Sequence, residues 1–225
     1  MKIVLLQFTM PLKLYKMDIS PPVCGTLMVI DLLKVPVEFV DVDLLNKEHL
    51  APEYLEKNPM HTVPLLEDGD LYIHESHTIM AYLCDVYGKD DSLYPKDPKQ
   101  RALVDQKLYF DGQFFIRARN ISYPAIFEGV RKPSEKVINA VIESYDFLEA
   151  FLSKTKFIAG DKMTIADIAI LSTLGATRFM VPVANKKYTK LTAWYTNMTQ
   201  QPFYQKYGAP GAIGLANLLK DKLDI

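Results

Sequence analysis

The spacing of apolar residues along this chain changes after about residue 88. Up to that point, short alternating segments typical of half-buried strands are interleaved with segments in which apolar residues recur every three or four positions, as in helices. Beyond the polar segment 89–98, which contains two prolines, only the helical spacing remains. The pattern therefore predicts an α/β domain followed by an all-helical domain.

The elements predicted for the first half follow the order strand, helix, strand, helix, strand, strand, helix. A strand, helix and strand in succession favour a right-handed crossover, so we expect the first two strands to be parallel. An Asp-Gly-Asp turn at 68–70 joins the last two strands. The predicted ranges are a strand at 12–17, a helix from Pro21, a strand at 37–42, a helix at 48–57, strands at 62–66 and 71–73, and a helix at 76–87.

The helices predicted for the second half cover 100–120, 134–152, 164–180 and 187–200. Thr164 and Asp167 have the spacing of a capping box at the start of the third of these helices. Gly208, Gly211 and Gly214 follow no strand, so they form no nucleotide-binding loop, and we expect an irregular tail. The predicted division is a first domain at 1–90, a linker at 91–98, and a helical domain at 99–225.

The composition, with 49% apolar and 24% charged residues, is that of a globular protein. The 26 basic and 27 acidic residues nearly cancel and form no long block of one sign, so nucleic acid and an anionic membrane are not expected as partners. No segment reaches the ~20 apolar residues of a membrane span. Cys24 and Cys84 form no CxxC pair, which argues against a zinc site or a disulfide framework and favours a cytoplasmic location.

Ser20 directly precedes Pro21 and Pro22 at the end of the first strand, so we expect it to be the N-cap of the first helix. One interpretation is a cap alone. The other interpretation is that Ser20 also takes part in catalysis. The unpaired N–H groups and partial positive charge of a helix start favour an anion or thiolate, to which the Ser20 hydroxyl can donate a hydrogen bond.

All four histidines fall between residues 49 and 77. His74 and His77 lack the spacing of a metal-binding helix motif, so we expect no metal site. His49 and His61 either donate hydrogen bonds to a carboxylate or are ordinary surface or capping residues.

Two dipeptides point to a ligand that resembles a peptide. Val63-Pro64 is either a trans edge proline or a cis bond that leaves the Val63 amide and carbonyl available for pairing. Glu75 and Ser76 open a helix, where the hydroxyl and first-turn amides bind a carboxylate and Glu75 binds an amine; the alternative is an ordinary cap with a solvated glutamate.

Further motifs carry a family resemblance. They are Ser20-Pro21-Pro22, the segment KEHLAPEYLEKNPMHTVPLLEDGDLYIHESHTIMAYL, then YGKDDSLYPKDP, and later AGDKMTIADIAI. This resembles the cytosolic glutathione transferases, and among them the insect delta and epsilon classes, epsilon most of all. The resemblance covers about residues 12 to 205 and implies that residues 1–11 are an N-terminal extension. It also implies a thioredoxin-like N-terminal domain, a helical-bundle C-terminal domain, a homodimer, and glutathione as co-substrate with no metal.

The resemblance also implies roles for individual residues. Ser20 would be the catalytic hydroxyl that hydrogen-bonds the glutathione sulfur. Tyr15 is the competing hydroxyl, because other classes use a tyrosine near the first strand. The implied glutathione contacts are His49, His61, Val63, cis-Pro64, Glu75, Ser76 and, beside them, His77. The implied contacts to a hydrophobic substrate are Pro21, Ile116, Asn120, Tyr123 and Phe127.

Three positions depart from the family pattern. Cys24 stands where an arginine is usual, Met60 replaces a glutamine, and Asn120 falls where epsilon members often have an arginine, for which Arg117 or Arg119 can substitute. The resemblance implies a detoxifying enzyme that conjugates glutathione to hydrophobic electrophiles, with peroxidase, elimination or isomerase side activity. A non-catalytic carrier of hydrophobic or steroid-like ligands, and a specialised enzyme of endogenous steroid metabolism, are the alternatives.

Overall fold

The computed structural model describes residues 11–224. The predicted N-terminal extension therefore lies, apart from Pro11, outside the described residues. The strands are β1 (Leu12–Lys16), β2 (Val37–Asp41), β3 (Leu65–Asp68) and β4 (Leu71–His74). The helices are α1 (Pro21–Leu33), α2 (Pro52–Lys57), α3 (Ser76–Tyr87), α4 (Pro98–Phe127), α5 (Glu135–Leu152), α6 (Ile165–Thr177), α7 (Thr189–Thr199) and α8 (Ala209–Leu219).

The four strands form one sheet in the order β2-β1-β3-β4. β1 and β2 are parallel, as predicted, whereas β3 is antiparallel to both of its neighbours. Along β1, Leu12 and Leu14 are buried in the core. Tyr15 points to the opposite face of the strand, where its ring packs against Tyr54 of α2. Because side chains alternate along a strand, β1 contacts the core on one face and α2 on the other.

Prolines account for two differences from the predicted elements. The helix predicted at 48–57 is a 3₁₀ turn, Glu48–Leu50, followed by α2, because Ala51 precedes Pro52 and is extended (φ −65°, ψ 143°). The strand predicted at 62–66 begins only at Leu65, since Pro64 has no N–H to donate to the ladder.

The helical half starts with α4, which extends seven residues past the predicted end to Phe127. Pro124 lies in the final turn and has no N–H to donate, but the helix continues past it, and its carbonyl accepts a hydrogen bond from the Glu128 N–H over 2.9 Å. α6 is buried along its whole length and begins at the predicted capping box of Thr164 and Asp167. It therefore forms the centre of the helical domain.

The expectation of an irregular tail is wrong. Residues 204–208 form a π-helical turn that continues into α8. A Cβ on Gly211 would overlap the Cys24 sulfur and the Asp18 carbonyl oxygen, and one on Gly214 would come within 2.5 Å of the Ile19 Cγ2. These glycines are therefore helix residues that allow α8 to lie against the connection between β1 and α1.

Candidate active site

The register of the sheet brings the predicted site segments to one edge. Tyr15 of β1 pairs with Leu65 of β3, which in turn pairs with His74 of β4. Because β3 runs antiparallel to β1 and β4, the ends of β1 and β4 meet the start of β3 there. Ser20 follows β1, Val63 precedes β3 and Glu75 follows β4, so all three emerge at that edge.

Ser20 is the N-cap of α1, as predicted, and its N–H donates to the Met17 carbonyl over 2.9 Å. Its hydroxyl makes no capping hydrogen bond. The start of α1 is fixed from the other side, since the Ser172 hydroxyl of α6 donates to the Pro21 carbonyl over 2.6 Å. The Ser20 hydroxyl is thus held at a helix start without being consumed by the helix.

The competing hydroxyl of Tyr15 is engaged elsewhere. It donates to Glu67 over 2.7 Å and accepts from Lys57 on the α2 side of the sheet. Burial raises the pKa of Tyr15. Burial also raises the pKa of Glu67, but hydrogen bonds from Tyr15, Lys57 and Lys13 outweigh this and hold it at about 2. Tyr15 therefore belongs to an ionic cluster that joins the sheet to α2.

Cys24, on the turn after Ser20, is buried and donates its S–H to the Asp18 carbonyl over 3.1 Å. Burial raises the pKa of this thiol to about 12. A neutral thiol cannot replace the positive charge of the arginine that is usual at this position. Cys24 instead fills the space between α1 and Gly211 of α8.

The rings of His49 and His61 lie side by side, with their centroids 6.0 Å apart. Burial, and secondarily the neighbouring His61, lowers the pKa of His49. The His49 Nδ1 is buried and has no hydrogen-bond partner among the described residues. An acceptor such as a ligand carboxylate would satisfy it.

Asn58 organises the loop between these histidines, and the sequence analysis missed it. It is fully buried, its amide N–H₂ donates to the Thr62 carbonyl over 2.9 Å, and its side-chain oxygen accepts from the Met60 N–H over 3.0 Å. The His61 N–H donates to the Asn58 carbonyl over 2.9 Å. A buried amide at a helix end before a proline was the available signal, because it must find its partners within its own loop.

The Val63–Pro64 peptide bond is cis, as the resemblance implies. Val63 itself is 8% exposed and precedes the first ladder pair of β3. Its N–H and carbonyl make no hydrogen bond with any residue between 11 and 224. One donor and one acceptor therefore remain for an extended ligand.

Glu75 has a positive φ of 71°, a conformation that a non-glycine residue adopts at a cost of about 1–3 kcal/mol and that is concentrated at functional sites. Its side chain is 64% exposed. Ser76 is the first residue of the 12-residue helix α3, and its hydroxyl has no hydrogen-bond partner in the described chain. The pair thus presents a carboxylate beside a helix start.

His77 faces the helical domain. Its Nε2 lies 2.8 Å from Oδ2 of Asp111 on α4, and the other oxygen of this buried carboxylate has no partner in the described chain. His77 therefore joins α3 to α4 and contributes to the placement of Glu75 and Ser76.

Four of the predicted hydrophobic-substrate residues form one face of α4. Ile116, Tyr123 and Phe127 are 51%, 38% and 47% exposed, and Asn120 lies between them on the same face. The Tyr123 and Phe127 rings lie 4.9 Å apart. Pro21, the fifth predicted residue, opens α1 and is partly buried. The first four thus form an exposed strip on the helical domain that is apolar except for Asn120.

A cation does lie on this strip. The Arg119 guanidinium is 4.2 Å from the centroid of the Tyr123 ring. Arg117 points to α5 instead, donating to the Ala140 carbonyl over 2.9 Å and pairing with Glu143. Of the two arginines near Asn120, only Arg119 faces the strip.

The other aromatic residues of α4 are mainly structural. Phe114 is fully buried against Tyr145, and Phe110 packs on Phe147 and Phe151 of α5. Tyr109, in contrast, is 79% exposed. In residues 11–224 no group of three or more His, Cys, Asp or Glu side chains is arranged to hold a metal ion. No helix in the described chain has both the length and the apolar character needed to cross a bilayer.

The fold is a thioredoxin-like sheet domain joined to a helical bundle, and the Ser20 hydroxyl at the start of α1 makes no capping hydrogen bond. This is the arrangement that the resemblance to the glutathione transferases implies. The sequence matches the family described as glutathione S-transferase, N-terminal domain, over residues 10–85 and glutathione S-transferase, C-terminal domain, over residues 95–202. The chain therefore belongs to the glutathione S-transferase family.

Individual relatives agree with this assignment. Glutathione S-transferase 1 of Manduca sexta is 43% identical over 217 residues, which cover 95% of this chain and 100% of that protein. An epsilon-class enzyme from the housefly Musca domestica superimposes with a TM-score of 0.92 at 43% identity, over 95% of this chain and 100% of its own. A homologue from Drosophila mojavensis, solved with bound glutathione, has a TM-score of 0.91 at 42% identity, over 95% and 98%.

Proposed function

We propose that Ser20 is the residue with which this glutathione transferase stabilises the glutathione thiolate. The observation that supports this most strongly is the Ser20 hydroxyl, which sits at the start of α1 without a capping hydrogen bond. A free thiol has a pKa of about 8.5, and lowering it by ~2 units corresponds to roughly 2.7 kcal/mol of thiolate stabilisation. One hydroxyl hydrogen bond to a charged acceptor, together with the helix start, supplies a contribution of that order.

The remaining predicted residues hold the tripeptide from its two ends. His49 and His61 bind the glycyl carboxylate. The support for this contact is the buried Nδ1 of His49, which has no hydrogen-bond partner in the described chain. The unpaired backbone groups of Val63, next to Pro64, pair with the cysteinyl residue. Ser76 and the first-turn amides of α3 bind the γ-glutamyl carboxylate, and Glu75 binds its amine.

The second substrate lies on the side of α4. The strip of Ile116, Asn120, Tyr123 and Phe127, together with Pro21 of α1, favours an apolar electrophile, which the thiolate attacks at carbon. Arg119 supplies a positive charge beside it. We therefore propose that the enzyme conjugates glutathione to hydrophobic electrophiles and has a detoxifying role. Residues 1–90 bind glutathione, residues 91–98 link the two domains, and residues 99–225 bind the electrophile.

We also propose that the enzyme is a cytoplasmic homodimer. The support is the set of apolar side chains that α3 and α4 leave exposed, with Val86, Leu103 and Tyr109 at 54%, 50% and 79%. An interface with a second copy would bury these side chains. Light scattering of the purified protein measures the mass directly, and a monomer at micromolar concentration would contradict this proposal.

The central experiment titrates the thiolate absorbance of bound glutathione over about pH 5 to 9 in the wild type and in Ser20→Ala. We expect a low thiol pKa in the wild type and a rise of about 1 to 2 units in the variant, which keeps the helix start but loses the hydroxyl. Ser134→Ala is the matched control, because Ser134 is the N-cap of α5 and likewise makes no side-chain capping bond.

Two other results would contradict the proposal. If Tyr15→Phe raises the thiol pKa and Ser20→Ala does not, the activating hydroxyl is that of Tyr15. If glutathione does not bind, or its thiol titrates as in water in every variant, the non-catalytic carrier is the correct alternative.

A further inference from the structure

Met60 lies on the loop between α2 and β3, and its side chain is 53% exposed. It is the only exposed methionine among residues 11–224. Thioethers usually fill gaps in apolar cores, and packing does not explain this one at a position where a glutamine is usual. The other methionines of the same part of the chain are partly or fully buried: Met17, Met28, Met80, Met163, Met180 and Met198.

The backbone around Met60 is fixed by the fully buried Asn58. The Met60 N–H donates to the side-chain oxygen of Asn58 over 3.0 Å, and the His61 N–H donates to the Asn58 carbonyl over 2.9 Å. His61 has a positive φ of 44°, a conformation that is concentrated at functional sites in residues other than glycine. The loop therefore holds its backbone in place while the Met60 thioether stays open to water.

The residue next to Met60 belongs to the proposed glutathione site. The His61 side chain is exposed, and its ring centroid lies 6.0 Å from that of His49. If these two rings bind the glycyl carboxylate, their N–H groups are the donors for it. A new hydrogen-bond acceptor on the Met60 side chain would compete with the carboxylate for those donors.

We propose that Met60 is an oxidation site for peroxides, and that its sulfoxide weakens glutathione binding; the second part rests on the proposed function. The sulfur lone pair attacks one oxygen of hydrogen peroxide, an S–O bond forms and the O–O bond breaks. The other oxygen leaves as water with both protons, so the sulfur is oxidised and the peroxide reduced by two electrons. The sulfoxide is polar, its oxygen is an acceptor, and methionine sulfoxide reductases reverse the reaction with a dithiol as reductant.

The test treats the full-length wild type with hydrogen peroxide in the absence of glutathione, followed by removal of the peroxide. Burial raises the pKa of Cys24 and Cys84 to about 12, so both stay protonated and react slowly. Peptide mass spectrometry should show the Met60 sulfoxide forming about fivefold faster or more than any other methionine sulfoxide of residues 11–224. KM for glutathione should rise by about threefold or more, with kcat changed by less than about twofold.

Two variants and one reversal complete the design. Met60→Leu keeps the apolar side chain without the sulfur, so its KM should be the same before and after peroxide. Met163→Leu is the matched control, because Met163 is a partly buried methionine of the helical domain, and its KM should respond as that of the wild type does. The two methionine sulfoxide reductases, one for each sulfoxide epimer, should restore the starting KM with dithiothreitol as reductant.

Several results would overturn the proposal. They are oxidation of Met60 no faster than that of the buried methionines, an unchanged KM once Met60 is fully oxidised, a rise in KM that persists in Met60→Leu, and a rise that the reductases do not reverse. In each of these cases the untreated enzyme still conjugates glutathione, so the proposed function stands. If the untreated enzyme does not bind glutathione, the proposed function is wrong, and the role of Met60 in glutathione binding is wrong with it.

Discussion

Replacing Asp167 by alanine should destabilise the helical domain more than any surface substitution does. Asp167 is fully buried at the start of α6. One of its carboxylate oxygens accepts from the Ile158 N–H over 2.9 Å and from the Trp194 Nε1–H over 3.1 Å. The other accepts from the Thr164 N–H over 2.9 Å and from the Thr164 hydroxyl over 3.3 Å. The alanine variant removes the acceptor from all four donors.

The magnitude follows from the donors left buried. Two backbone N–H groups and one indole N–H lose their partner, at about 1–3 kcal/mol each. Burial raises the pKa of Asp167 to about 6, so the native carboxylate itself has a desolvation cost that the variant no longer has. We therefore expect the lower part of the range, a loss of roughly 4 kcal/mol near pH 8, where the carboxylate is ionised. For a protein of this size this lowers Tm by roughly 8 to 16 °C.

The assay is urea unfolding at one fixed protein concentration, because association changes apparent stability. Trp194 is the only tryptophan of the chain, so intrinsic fluorescence reports on the Asp167 site, and circular dichroism provides an independent probe. Asp167→Asn should be intermediate, since it keeps one acceptor oxygen but places an N–H₂ group against the Thr164 donors.

Asp146→Ala is the matched control. Asp146 pairs with Lys187 over 2.7 Å, but its side chain is 48% exposed, so its loss should cost about 0–1 kcal/mol. If Asp167→Ala and Asp146→Ala agree within about 1 kcal/mol, the four hydrogen bonds do not carry the stability that we assign to them.

Three further predictions concern the sheet domain. Asn58→Ala should raise KM for glutathione by about tenfold with a smaller effect on kcat, because it loosens the loop that carries His61. Steady-state kinetics measure this beside the exposed-site control Asn139→Ala, and equal KM values for the two variants would contradict it. Glu67 has a pKa of about 2 in the folded protein against 4.5 when unfolded, so its ionised form should stabilise the protein by roughly 3 kcal/mol above pH 4.5 and lose this contribution as the pH falls toward 2. The unfolding free energies of the wild type and Glu67→Gln should therefore converge in acid, and a difference that stays constant with pH would refute this role of Glu67. Burial raises the pKa of both cysteine thiols to about 12, so a colorimetric thiol reagent near pH 8 should react slowly with both thiols of the native protein and rapidly once the protein is denatured. A rapid reaction of either thiol in the native protein would be inconsistent with this burial.

Local patterns in the sequence were sufficient for much of the fold. The helical spacing located α3, α5 and α7 to within about two residues, a precision that is usual for element boundaries. Ser20 before two prolines, and Thr164 with Asp167, marked helix starts that the structure confirms. These features depend on residues within one or two turns of one another, so the sequence alone determines them.

The candidate site was predicted unevenly. Ser20, Val63 and Glu75 were each identified from local motifs and the family resemblance, but each alone had an ordinary structural explanation. The register of β1, β3 and β4 decided that they meet at one edge of the sheet. Asn58 was missed, because its importance lies in hydrogen bonds to a loop whose conformation the sequence pattern does not show.

Tertiary structure also decided what the sequence pattern misjudged. The late glycines predicted an irregular tail, yet Gly211 and Gly214 are helix residues. A side chain at either position would overlap the segment that carries Ser20, against which α8 lies. Tyr15 and Ser20 are both hydroxyls near the first strand, and only the partners of Tyr15 on the opposite face separate them. Periodicity records which side of an element is buried, whereas the identity of the neighbour depends on contacts between distant parts of the chain, and those contacts exist only in the folded protein.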